Sequence, residues 1–201
     1  MNRVRTTSVF ISTGVLLAAW SGTSFAHVGV GPTSNFGAGL LHPLGGIDHI
    51  LAMVAVGIWA AQQGGRALWA VPLAFVAMMT VGGALGMAGV SLPFAERGIL
   101  LSLLVLGVLV AAWVRLPLLA GALTVGAFAL FHGHSHGAEM PLSVSGVEYA
   151  VGFVVATAFL HGCGIALVVG SRRLIPVRAS SVVLRAAGVF IALAGVYLWQ
   201  V

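Results

Sequence analysis

Six apolar runs, at roughly residues 38–61, 67–90, 97–114, 117–135, 147–170 and 182–200, follow one another with only short loops between them. Each is close to the ~20 residues a helix needs to cross a hydrocarbon core of ~30 Å, and lipid offers no partner for an open backbone. The pattern predicts an all-α, polytopic membrane helix bundle with six transmembrane helices. Charge agrees with this: 6% of the residues are charged, against about 25% in soluble domains. Small residues recur at helix-packing spacing, as in Gly82/Gly86 and Gly133/Gly137. They let backbones approach closely, and ordinary packing explains them without a specific dimer.

Residues 1–26 read as a cleavable signal peptide, with Arg3 and Arg5, an apolar stretch from Val9 to Trp20, and Ser24-Phe25-Ala26 placing small residues at the −3 and −1 positions. Cleavage leaves residues 27–201 as a single six-helix domain and exposes His27, whose imidazole and free amine form a potential metal chelate. With His27 outside, the cytoplasmic loops hold Arg66, Arg115, Arg172, Arg173 and Arg178, Arg185 lies just inside the last span, and the outer loops hold only Arg97. This is the asymmetry of the positive-inside rule. It predicts a bacterial inner-membrane protein with both mature termini in the periplasm. The arginines are thus topology signals, and no nucleic-acid motif accompanies them.

The same orientation puts all four acids, Asp48, Glu96, Glu139 and Glu148, towards the exterior. Carboxylates raise the local cation concentration, so an outward vestibule for cations follows. Histidines join them there. In His132-Gly133-His134-Ser135-His136-Gly137-Ala138-Glu139 the first and third imidazoles share a helix face at i, i+4, with Glu139 close by. Ionisable groups at membrane depth are costly and mark function, and imidazole with carboxylate suits nickel, cobalt, zinc or copper.

Span one opens His42-Pro43-Leu44-Gly45-Gly46-Ile47-Asp48-His49, with Met53 and Gly57 beyond. Two helical turns separate His42 from His49, Pro43 suits a helix start, and Asp48 is a ligand or the acceptor that fixes a neighbouring histidine. Met53, at i+4 from His49, is a weaker candidate, since methionine more often fills gaps. Glu148 begins span five, and His161 lies about 20 Å further along that helix, a deeper station than the outer cluster. Gly162 and Gly164 beside it allow close helix approach or local unwinding. Cys163, the one cysteine, permits no internal disulfide.

Three of these segments together resemble the HupE/UreJ family of hydrogenase and urease accessory membrane proteins, regarded as nickel or cobalt transporters. His42 to Gly57 is similar to the family pattern HPxxGxDHxxxMxxxG, His132 to Glu139 to HGxxHGxE with His134 as a local variant, and Ala156 to His161 to ATAxLH. The resemblance implies ion-handling roles for His42, Asp48, His49, His132, His136, Glu139 and His161.

The expected function is a secondary permease that takes up Ni²⁺ or Co²⁺ through the outer His/Asp/Glu site and passes it inward past His161, with no enzymatic activity and no prosthetic group. Its partners are the bilayer, the ion and, at most, further copies of itself. A zinc-dependent intramembrane hydrolase would use the same residues with an open position for water, although polar groups spread over several depths argue against one closed set. A serine protease built on Ser135 lacks a shielded, oriented base. Copper handling is a variant that His27, Met53 and Cys163 would favour.

Overall fold

The computed structural model describes residues 35–140 and 145–200, and every regular element among them is helical. The expected signal peptide of residues 1–26, and His27, lie outside the described residues. In chain order the elements are α1 (Asn35–Leu41), a 3₁₀ turn (His42–Leu44), α2 (Ile47–Gln63), α3 (Ala67–Met87), α4 (Ala95–Ala111), α5 (Leu118–Ala138), α6 (Gly146–Leu174) and α7 (Val177–Leu198).

Span one is not the single straight run expected from its hydropathy. The segment Asn35–Leu44 meets α2 at 82°. The cause is local. Pro43 supplies no N–H, Gly45 and Gly46 have poor helix propensity, and Gly46 adopts extended backbone as it leads into α2. The side chain of Asp48 then accepts the backbone N–H of His49 at 2.9 Å, placing a carboxylate at the positive end of α2. His42 consequently opens a separate short turn and is carried to the site from outside α2.

Four helices, α3, α5, α6 and α7, are each long and apolar enough to cross a membrane, and α1 with α2 form a fifth candidate if the bent pair is one span. Helix α4, with 17 residues, extends about 26 Å at ~1.5 Å per residue, a little short of a ~30 Å hydrocarbon core.

Helix α2 lies at the centre. From Ala52 to Gln62 all but one residue is buried, the exception being Val54, which is half-buried. A helix apolar on every side is stable only when neighbours cover it, and α3, α4, α6 and α7 all pack against it. The outer helices instead turn apolar residues outward, among them Leu73 on α3, Leu123 on α5 and Leu193 on α7.

Glycine fixes how close the pairs come. On the parallel pair α3 and α5, a methyl group at Gly133 would strike the Met79 carbonyl, and one at Gly137 the Gly83 carbonyl; Gly82 and Gly86 face Leu130 and His134 in the same way. The expected small-residue packing is therefore found inside the chain, and it holds the histidine-rich end of α5 hard against α3. Gly57 on α2 and Gly164 on α6 make a second contact of this kind, where a side chain at Gly57 would meet the carbonyl of His161. Helix α6 runs unbroken through Gly162 and Gly164, so close approach is realised there and unwinding is not.

Candidate metal centre

The sequence brings six ionisable groups to one end of the bundle: His42 from the 3₁₀ turn, Asp48 and His49 from the first turn of α2, and His132, His136 and Glu139 from the end of α5. The ring centroids of His42 and His136 are 4.7 Å apart, those of His136 and His49 4.1 Å, and those of His49 and His132 4.9 Å. One ligand atom each from His42, His136 and Glu139 lies within 4.8 Å of the others. The bend before α2 makes this possible. Crossing the start of α6, where Gly39 sits against Tyr149 and Gly152 against Phe36, α1 delivers His42 beside Tyr149 and Phe153.

Burial is graded along this series. The Glu139 side chain is 65% exposed and that of His42 29%, whereas His136 is 6% and His132 0% exposed. Glu139 caps the C-terminus of α5, the negative end of the helix dipole, where a carboxylate is stabilised only by a neighbouring cation. His42 Nε2 lies 3.6 Å from its Oε2, too long for a tight hydrogen bond but close enough to act electrostatically. The imidazole beside it holds the Glu139 carboxyl below its usual range.

Hydrogen bonds decide which ring atoms are free. His49 Nδ1 contacts Asp48 Oδ1 at 2.8 Å, and a carboxylate only accepts, so this nitrogen carries the proton and Nε2 the lone pair. His132 Nε2 contacts the hydroxyl of Ser102 on α4 at 2.9 Å. Among the described residues, His49 Nε2, His132 Nδ1 and both ring nitrogens of His136 are buried without a hydrogen-bond partner. Buried polar atoms are nearly always paired, so four such nitrogens on three touching rings are open to water or to an ion.

The other expected site residues are placed apart. His134 contacts the Val90 carbonyl at 2.6 Å and ties α5 to the α3–α4 connection, because a residue two positions along a helix lies roughly 200° round its axis from the residues on either side. Glu148 accepts a hydrogen bond from Asn35 Nδ2 at 2.8 Å and so fastens α1 to α6. Met53 is fully buried among core side chains, the packing role that methionine usually has. His161 sits deeper, 2% exposed, edge-on to Phe75 at 5.2 Å, and both its ring nitrogens lack partners among the described residues. Phe75 also lies 5.7 Å from the ring of His132, so it separates the outer cluster from His161.

Sequence reasoning missed Ser102, Phe75, Tyr149 and Phe153. Three of these left a trace. Tyr149, Phe153, Thr157 and His161 recur every four residues and so line one face of α6, and Ser102 is a lone hydroxyl within Leu100-Leu101-Ser102-Leu103-Leu104. In lipid such a group seeks an interhelical partner.

The family model described as HupE / UreJ protein matches residues 15–198. The chain belongs to the HupE/UreJ family. It is also similar to Protein HupE of Rhizobium leguminosarum bv. viciae, with 47% identity over 188 residues, covering 94% of this chain and 96% of that protein. No solved structure matches it. HupE/UreJ proteins are hydrogenase and urease accessory or transport proteins linked to nickel and cobalt, and they are not enzymes. The hydrolase and protease alternatives are thereby set aside.

Proposed function

We propose that this HupE/UreJ protein is a secondary permease that takes up Ni²⁺ or Co²⁺ from the periplasm across the bacterial inner membrane. The observation that carries the reading is the convergence of His42, His136 and Glu139, with ligand atoms within 4.8 Å, at the mouth of a helical bundle. Nitrogen and oxygen donors of this kind suit borderline divalent ions, nickel and cobalt among them.

Orientation follows from charge. Arg66 and Arg115 lie in the connections α2–α3 and α4–α5, Arg172 and Arg173 in the last turn of α6 and Arg178 in the first turn of α7, all at the end of the bundle away from the imidazoles. Placing that end in the cytoplasm satisfies the positive-inside rule. The six expected passages then comprise the bent α1–α2 segment and α3 to α7, preceded by a cleaved signal peptide, with both mature termini periplasmic.

The graded burial from Glu139 through His136 to His132 and then His161 supports transport over storage. Conduction needs sites favourable enough to load and weak enough to release, which a series of partial sites provides better than one closed cage. Metal accumulation in cells producing the wild type or His49→Ala, with nickel, cobalt, copper and zinc offered separately, tests the reading. Uptake of nickel or cobalt that depends on His49 is expected. Equal accumulation of every ion by both proteins would remove the transport claim.

A further inference from the structure

The hydroxyl of Ser102 is fully buried and touches two groups, the Ile99 carbonyl at 2.6 Å and His132 Nε2 at 2.9 Å. A carbonyl only accepts and a serine has one proton, so Ser102 donates to Ile99 and its oxygen accepts the N–H of His132 Nε2. In a neutral ring this leaves the lone pair on Nδ1, which is buried without a partner among the described residues. His49 reaches the mirror arrangement through Asp48: Nδ1 is bound to the carboxylate at 2.8 Å, and the Nε2 lone pair is buried and unpartnered. The two rings meet nearly at right angles, 4.9 Å between centroids.

We propose that His49 Nε2 and His132 Nδ1 form a second ion position, inward of the His42/His136/Glu139 group, and that Ser102 is the positioning residue that presets His132 for it. The proposal rests on the permease reading and deepens it. Ligating histidines characteristically give their second N–H to a carboxylate, carbonyl or similar acceptor, which fixes the tautomer and the ring plane. Here Asp48 does this for one ring and Ser102 for the other. His136 serves both positions, since its ring lies 4.1 Å from that of His49 and 4.7 Å from that of His42, and both its nitrogens are without partners among the described residues. An ion therefore moves inward by exchanging His42 and Glu139 for His49 and His132 while one imidazole stays attached. A borderline divalent cation that accepts imidazole nitrogen is the occupant the donors select.

The test uses the full chain in nanodiscs, with Co²⁺ as the probe. Histidine ¹⁵N spectra of the ion-free wild type should show His132 as the Nε2–H tautomer. Ser102→Ala should weaken Co²⁺ binding by roughly tenfold to a hundredfold, the usual effect of removing a partner of a metal ligand, and should let His132 populate both tautomers. Ser102→Thr keeps the hydroxyl and should restore both properties. An Nδ1–H tautomer of His132 in the wild type, or Co²⁺ binding by Ser102→Ala equal to wild type, overturns the inner position while leaving the outer group and the permease reading intact. A wild type that binds neither Co²⁺ nor Ni²⁺ offered in its place removes the permease reading and the inner position together.

Discussion

The two ends of this bundle treat buried polar groups in opposite ways. At the arginine end they are mostly paired, Gln62 Oε1 being the exception among the described residues. Trp59 Nε1 donates to the Val114 carbonyl at 2.9 Å, Gln62 Nε2 to Val110 at 3.2 Å and Gln63 Nε2 to Leu116 at 3.2 Å, tying the end of α2 to the last turn of α4 and the α4–α5 connection, and Arg172 and Arg185 both lie over the ring of Trp113. At the histidine end the polar atoms of His49, His132, His136 and Tyr149 include buried atoms without partners among the described residues. One end spends its polar groups on holding helices together; the other keeps them available at a cost to stability. In a low-dielectric interior an unsatisfied group is expensive, so its retention argues that something outside the chain satisfies it.

This contrast is most sharply broken at His136. Replacing it by leucine removes two orphaned nitrogens, so the ion-free protein should unfold at the same temperature as wild type or higher, since exchanging an unsatisfied polar group for an apolar one of similar size is neutral or stabilising. Nickel uptake should nonetheless fall to the level of cells lacking the protein. A stability loss as large as that of a core truncation would instead mean that His136 is a structural residue. Asp48→Asn keeps the shape but weakens the charge that orients His49, and Co²⁺ affinity measured on purified protein should drop by about tenfold to a hundredfold.

Acidification acts on the same end. A metal needs the lone pair of a neutral imidazole, which acid takes away. Uptake into proteoliposomes should therefore fall as the pH is lowered. Glu139, whose carboxyl is held below its usual range, stays anionic to lower pH than an ordinary glutamate, so a loss that sets in above the carboxylate range is assigned to the imidazoles. Uptake that stayed constant down to the pH at which carboxylates protonate would contradict the histidine account.

How much of this was legible beforehand differs between helices and contacts. The helices were readable because hydropathy at membrane depth leaves the backbone few choices, and the candidate ligands of α5 because i, i+4 spacing survives in any helix. The bend of 82° before α2 was not, although Pro43, Gly45 and Gly46 were in view, because a proline near a helix start is compatible with straight or bent continuation until tertiary contacts choose. Here the seating of α1 on α6 through Gly39 and Gly152 makes that choice. His134 was gathered with its neighbours by composition and separated from them by phase on the helix. Ser102 was invisible as a partner of His132 because thirty residues and a whole connection separate them, and only the packing of α4 against α5 brings them together.

The smallest expected effect lies at the opposite end and completes the comparison. Trp59→Phe keeps an aromatic ring in the core but removes the indole N–H that satisfies the Val114 carbonyl at 2.9 Å. A single hydrogen bond of this sort contributes about 1 kcal/mol, and an interhelical one in a membrane about half that on average, so a small decrease in unfolding temperature is expected. Co²⁺ affinity should be unchanged, because Trp59 is near the arginine end of α2, ten residues and about 15 Å at ~1.5 Å per residue from His49. Affinity and stability would then respond to substitutions at different ends of one helix. A Trp59→Phe protein that lost ion binding while keeping its stability would show instead that the inner end of α2 communicates with the imidazoles, and the division of labour between the two ends would have to be given up.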